Sequence, residues 1–319
     1  MQFSRVSPRC TASLLLLVIA AASCGSTAMA AEPIRWKLKA GDKFNYDMNQ
    51  DTTMNMNAGP AGQMVTTVQQ KMEMTWDVQQ VNEAGDAVIK QSFDRVTMNM
   101  NAPMGQTIEY DSDAAEPAEG LATMIAPLYD AMTEGEFEVT MSARGEIRDV
   151  KIPQEVIDAI KNSPGAAAMG EMATSEGFQN MIMQGALVLP EEPPAVGESW
   201  SNTATMNNPM AGKVTVETSY KYEGTKEVDG ISMAVFRPTL KMGMEGNPTV
   251  QMKVTEQQSE GEVLFNQEAG RLDSTSLQQT TKMDITVAGQ TMQQQIDQLI
   301  EVKVTQAEGS EVGGRGSEE

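Results

Sequence analysis

Val68-Gln69-Gln70-Lys71-Met72-Glu73-Met74-Thr75-Trp76-Asp77-Val78 is the stretch that decides the fold. Apolar side chains fall at 68, 72, 74, 76 and 78, with Lys71, Glu73, Thr75 and Asp77 between them. Successive side chains of a strand point to opposite faces, so this period of two marks a half-buried antiparallel strand. The alternation returns in Val214, Val216, Tyr220 and Tyr222, in Val250, Met252 and Val254, and in Met283, Ile285 and Val287. Ile296, Ile300, Val302 and Val304 predict a last long strand, with Gln294 and Gln298 on the same parity. Between these runs stand turn residues: Glu83-Ala84-Gly85-Asp86, Asp229-Gly230, Glu268-Ala269-Gly270 and Ala288-Gly289-Gln290. Asp-Gly is a strong hairpin signal because both positions tolerate positive φ. Around Asp94-Arg95 the parity reverses, from Ile89 and Phe93 to Val96, Met98 and Met100. One extra residue there, a β-bulge, would re-aim the strand.

Helical spacing occurs in few places. Leu121, Met124, Ile125, Leu128 and Met132 form an apolar stripe, with Pro127 expected to kink it. Phe178, Met181, Ile182, Gly185, Ala186 and Leu189 form another, with Thr174 or Ser175 as N-cap. A short helix around Val156 to Lys161 precedes it. Ser163-Pro164-Gly165-Ala166-Ala167-Ala168 reads as a mobile connector and Pro190-Glu191-Glu192-Pro193-Pro194 as a stiff linker. The expected fold is mainly β (α+β). One or two curved antiparallel sheets of half-barrel type carry two or three helices, over 121–133, 155–162 and 176–189, packed on one face. Residues 31–189 form a first β-meander with helical inserts, and 190–307 a second that shares its core. The tail 308–319 lacks apolar pattern and reads as disordered.

The two meanders share landmarks. Gly41-Asp42-Lys43-Phe44 has a counterpart in Gly197-Glu198-Ser199-Trp200. Trp76, Gly85, Met98 and Met100 match Tyr220, Gly230, Met242 and Met244 at a nearly constant offset. Phe137, Val139, Met141, Gly145 and Ile147 match Val263, Phe265, Gly270 and Leu272. Duplication of a meander, with the helices inserted late in the first copy, accounts for these matches. Antiparallel meanders also share such punctuation without common origin.

The first 30 residues read as a secretory leader. Arg5 and Arg9 precede the apolar run Leu14 to Ala20, and Ala28-Met29-Ala30 offers a small-residue cleavage site. The run is too short to span a membrane. Two routes stay open: cleavage after Ala30, giving a periplasmic or extracellular protein, or lipidation of Cys24 in Ala21-Ala22-Ser23-Cys24, giving an envelope anchor. Cys10 and Cys24 are the only cysteines, and histidine is absent. A chain cut after Ala30 therefore carries neither thiol nor imidazole. That excludes Ser-His-Asp and Cys-His catalysis and ordinary zinc sites. With 23 basic against 44 acidic residues the net charge is −21, which repels nucleic acid phosphates. No later apolar run is long enough for a membrane helix.

Methionine is the compositional anomaly, with 26 residues. Met72 and Met74, Met98 and Met100, and Met242 and Met244 sit two apart and so share a strand face. Three readings compete: ordinary core, the wall of a site for a lipid or other apolar ligand, and a soft-metal Cu(I) site. In the ligand reading Met72, Met74, Trp76, Met98, Met100, Tyr220, Met242 and Met244 line the site. Paired carboxylates remain the only hydrolytic option, and no spacing singles out a pair. Asp111 and Asp113 begin something like a calcium loop, but Glu116 replaces its glycine. No catalytic residue, metal ligand or cofactor site is assigned. The expected function is a non-enzymatic exported protein that binds an apolar ligand. A structural or protein-interaction module of the envelope is the alternative, with a carboxylate hydrolase or a Cu(I) carrier behind both.

The phrases Leu38-Lys39-Ala40-Gly41-Asp42-Lys43-Phe44, Phe137-Glu138-Val139-Thr140-Met141 with Gly145-Glu146-Ile147, and Val196-Gly197-Glu198-Ser199-Trp200 resemble a family of uncharacterised exported proteins of planctomycete-type bacteria. The layout also looks like that of LolA-type lipoprotein carriers. That likeness implies a curved antiparallel sheet with helices over a lipid-binding cavity, and fold alone does not fix function.

Overall fold

The Val68 to Val78 alternation lies inside a strand of 19 residues, and the other alternating runs likewise belong to longer strands. The computed structural model describes residues 32–57, 59, 62–163, 174–184, 186–208, 212–245, 250–287 and 289–307. The leader with Cys24, the connector from residue 164 and the tail 308–319 lie outside the described residues. Internal contacts divide the chain into Met1–Glu32 and Pro33–Glu319, and all the described strands and helices belong to the second unit.

Twelve strands are described: β1 (Lys43–Asn57), β2 (Gln63–Val81), β3 (Ala87–Ala102), β4 (Gln106–Asp111), β5 (Glu136–Met141), β6 (Ile147–Lys151), β7 (Ser199–Asn208), β8 (Gly212–Val228), β9 (Ile231–Glu245), β10 (Val250–Asn266), β11 (Arg271–Val287) and β12 (Gln290–Gln306). They form one antiparallel sheet in the order β6-β5-β3-β2-β1-β12-β11-β10-β9-β8-β7, with β4 added on β3. The sheet does not close: its order ends at β6 and at β7. The Asp229-Gly230 hairpin joins β8 to β9 with φ of 51° and 78°, as its sequence requires. The bulge expected near Asp94 is present. Glu73 faces Arg95 and Met74 faces Phe93, so Asp94 is the extra residue.

Three helices are described: α1 (Ala126–Glu134), α2 (Gln154–Asn162) and α3 (Ser175–Gln184). Two differ from the sequence reading. Residues 120–124 form a 3-10 turn, and Pro127 stands in the first turn of α1, where its missing N–H costs nothing. Pro127 therefore starts a helix instead of kinking one. The second stripe stops at Gln184, and 187–190 run without helical hydrogen bonding to bury Leu189 completely. The Thr174 hydroxyl accepts the Gly177 N–H at 3.0 Å, as an N-cap should.

The shared landmarks reach down to individual hydrogen bonds. Gly41 N donates to Val78 O at 2.8 Å, and Gly197 N to Tyr222 O at 2.7 Å. Val78 N returns a bond to Asp42 O, and Tyr222 N to Glu198 O, both 2.9 Å. The Asp42 carboxylate accepts Lys39 N, and that of Glu198 accepts Ala195 N, each at 2.8 Å. One residue past Val78 and Tyr222 each strand bulges, at Gln79 and at Glu223. Hydrogen bonds from Arg237 and Lys221 hold the Glu223 carboxyl down to about 2. The methionine pairs do not keep this register. Met98 faces Gln70, whose counterpart Val214 faces Met244, not Met242.

The main core sits at one end of the strands. It joins Phe44, Tyr46, Val78, Ala87, Ile89 and Met141 to Ala234, Phe236, Val263, Phe265 and Val304. Two non-strand segments complete it. Ile34, Trp36 and Leu38 enter from residues 33–38, where Trp36 N donates to Ala143 O and Lys37 N to Gly270 O, both 2.8 Å. Leu189 enters from the other, where Leu189 N donates to Arg144 O. Gly270 has φ +62°, and a Cβ there would press on Lys37 Cβ and stand 2.5 Å from Lys37 N. Gly270→Ala should therefore cost about 2–3 kcal/mol in urea unfolding, through left-handed strain and overpacking. A cost under about 0.5 kcal/mol, the range of neutral surface changes, would mean that residues 33–38 are not held against the β10–β11 turn.

A charge-free sheet face as candidate functional site

Strand register places the eight residues expected to line a ligand site on one face of the sheet. Met74, Trp76 and Tyr220 pack against the main core. Met72 and Met98 pack in a second cluster with Val96, Tyr110, Ala122 and Ala126, so the start of α1 covers them. Met100, Met242 and Met244 belong to no buried cluster and stay half-buried farther along the strands. The set therefore divides into five core residues and three on an uncovered stretch.

Burial falls along β1 and β9 in step. On β1, Phe44 and Tyr46 are buried and Met48 to Met56 half-buried; on β9, Phe236 and Pro238 are buried and Leu240 to Met244 half-buried. β11 stays buried along this face from Leu277 to Ile285, and on β8 Val214 at the far end is buried while Tyr220 and Tyr222 nearer the core are half-buried. Cross-strand rows define what the face offers. One row runs Thr66, Met54, Ile296, Thr281, Gln257. The next runs Met64, Met56, Gln294, Met283, Val254, and Val214 pairs with both Met206 and Met244 on the far side. The row nearer the core is polar: Thr52, Gln298, Gln279, Ser259, then Thr218 and Asn202.

No charged residue stands on this face among the described positions of β1 from Phe44, β2 from Met64, β3 from Val96 to Met100, β7 to β9 from Trp200 to Met244, and β10 to β12 from Met252 to Val304. The charges occupy the other parity. Lys43 pairs with Asp77 at 2.7 Å, and Lys282 with Glu256 at 2.7 Å. In a chain of net charge −21, a broad half-exposed surface without a single charge is selective patterning.

The sheet has a seam on this face. Main-chain pairing of β9 with β10 runs from Met233–Asn266 to Phe236–Val263. Two residues on, Pro238 has no N–H to give. Beyond it, side chains bridge the strands. Leu240 N donates to Ser259 Oγ at 3.2 Å, Ser259 Oγ donates to Leu240 O at 3.3 Å, and Met242 N donates to Gln257 Oε1 at 2.9 Å. Gln257 Nε2 is buried with no hydrogen-bond partner. Gln279 and Thr281, 8% and 4% exposed, bond each other at 3.3 Å.

Two open hollows of about 690 and 540 Å³ lie beside β4. Both are lined by the carboxylates Glu109 and Asp111. Arg95 binds Asp111 through two hydrogen bonds, the shorter 2.6 Å, and this lowers the Asp111 pKa. A general acid needs the opposite shift. Tyr110 donates to Asp130 at 2.6 Å, and burial followed by that bond raises the tyrosine pKa.

A family sequence profile matches residues 84–271, more than half of the chain, from the β2–β3 turn to the start of β11. The chain belongs to DUF6263, a family of unknown function. No curated protein matches the DUF6263 chain. Among solved structures it is similar to lipovitellin, described for its lipid–protein interactions, at 10% identity and TM-score 0.39, covering 88% of this chain and 26% of that one. The chain thus spans about a quarter of lipovitellin. DynF of the dynemicin biosynthesis pathway of Micromonospora chersina aligns at 8% identity and TM-score 0.20, over 86% and 85% of the two chains. A mutant Rh. blastica porin aligns at 8% identity and TM-score 0.16, over 82% and 99%. At such scores these likenesses carry no functional argument.

Proposed function

We propose that this DUF6263 chain is an exported, non-enzymatic protein of the cell envelope that holds an apolar or lipid ligand on the Met-rich face of a curled sheet. The carrying observation is the charge-free, half-buried face from Met48 to Met56 and from Leu240 to Met244. If the chain itself covered these stretches of β1 and β9 they would be buried as β11 is, and a face meant for water would carry charges. Flexible thioethers adapt to a ligand of irregular outline, which branched side chains do less well.

Two further observations support the reading. In a flat sheet the order of strands would hold β5 and β7 roughly 40 Å apart, at about 4.8 Å per strand. Yet Met141 of β5 and Trp200 of β7 pack into one core, which favours a half-barrel curled around this face. The repeated turns and bulges of the two meanders favour a duplicated origin for the two walls of that half-barrel.

Native mass spectrometry of the purified protein, with solvent extraction of the same sample, tests the reading. A co-purifying apolar species, or uptake of a neutral dye such as Nile red, is the expected result. A protein that carries nothing and takes up no neutral apolar probe would overturn it.

A further inference from the structure

The polar row beside the methionines narrows the ligand class. Thr52, Gln298, Gln279, Ser259, Thr218 and Asn202 form a band from β1 to β7, between the aromatic core and the Met-rich rows, broken by Leu240 between Ser259 and Thr218; beyond Thr52 the row turns apolar at Val68 and Met100. Residues on a face needed only for greasy contact would be apolar here as well. All six are uncharged hydrogen-bonding groups, and their capacity is not used up. Gln298 and Asn202 have no side-chain partner among the described residues. Gln257, in the adjoining row, spends its Oε1 on Met242 N and keeps a buried Nε2 with nothing to bond. Half-buried side chains with open hydrogen-bonding capacity beside an apolar surface can pair with the polar groups of a ligand laid across it.

We propose, resting on the apolar-ligand reading, that the ligand is a neutral lipid of acylglycerol type. Its chains lie over Met54, Met56, Met242 and Met244, and its uncharged ester and hydroxyl groups meet the polar row at Gln298 and Asn202. A free hydrocarbon leaves the row unpaired. An anionic headgroup finds no cation on the face and loses its hydration without compensation. The arrangement thus selects against both less and more polar ligands of the same chain length.

The test uses the full chain and three probes delivered from cyclodextrin, each displacing Nile red: dioleoylglycerol, dioleoyl phosphatidic acid and squalane. Dioleoylglycerol should bind at least about tenfold more tightly than either competitor, as one or two hydrogen bonds suffice for that ratio. Gln298→Leu and Asn202→Leu should each bring the affinity for dioleoylglycerol down most of the way to that for squalane. The two residues stand on different strands, β12 and β7, so either variant decides the matter if the other fails to fold. Equal binding of squalane and dioleoylglycerol, or preference for phosphatidic acid, overturns this inference and leaves the apolar-ligand reading standing. Failure of all three probes and of Nile red removes both.

Discussion

Phe265→Ala should destabilise the protein by about 3–5 kcal/mol and unfold both strand runs together. Phe265 is fully buried, and its ring meets Trp36 edge-on at 5.3 Å between centroids. The same cluster holds Phe44, Val78 and Ile89 of β1 to β3, and Phe236 and Val263 of β9 and β10. Nothing nearby can collapse into the space, because Trp36 is fixed through its backbone to Ala143, and Lys37 to Gly270. Removing the ring therefore leaves a cavity shared by strands from both meanders. Urea unfolding followed by tryptophan fluorescence and by far-UV circular dichroism should give coincident transitions at a lower midpoint. Two separate transitions, with one meander unaffected, would show that the strand runs do not depend on a common core.

The strands are legible in the sequence because alternation is local. Val68 to Val78 announces β2 without knowledge of its partners, and the parity change at Asp94 is visible as a broken period. Helix ends are less legible. The apolar positions Ala186 and Leu189 continue a helical stripe on paper, but Leu189 is claimed by the main core and by a hydrogen bond to Arg144. A tertiary contact there outweighs a weak local preference. Strand order cannot be read from the chain at all, since β1 pairs with β12 across most of its length. The methionines that look alike in sequence part company in the same way. Met72 is covered by the start of α1 and Met242 is not, a difference that depends on where one helix lands. The polar row escapes a sequence reading for a different reason. Gln298 lies on the apolar parity in plain view, but only the registers align it with Thr52, Gln279 and Ser259. The usable signal is the charge-free parity itself.

Met54→Asp should weaken uptake of a neutral apolar probe by more than about tenfold, whereas Asn55→Asp should leave it unchanged. The two residues are neighbours on β1 and face opposite sides. Met54 stands between Thr66 and Ile296, and Asn55 between Val65 and Gln295. Both substitutions add one negative charge, so any effect of net charge is common to them. Only Met54→Asp puts the charge on the uncharged face, where no cation offsets it and a bound apolar ligand would strip its water. The short aspartate stem cannot carry the carboxylate out to solvent as a lysine could carry its ammonium. Met54→Asn separates charge from lost volume: it removes the same thioether and adds an uncharged amide. The expected order of affinities is wild type and Asn55→Asp together, then Met54→Asn, then Met54→Asp. Burial should raise the pKa of the carboxyl introduced by Met54→Asp, since desolvation disfavours the charged form. Its charge, and with it the lost affinity, should therefore disappear as the pH falls through that raised value, while Asn55→Asp shows no such recovery. Equal weakening by Met54→Asp and Asn55→Asp would mean that the probe does not distinguish the two faces, and the charge-free side of the sheet would lose its claim to be the binding surface.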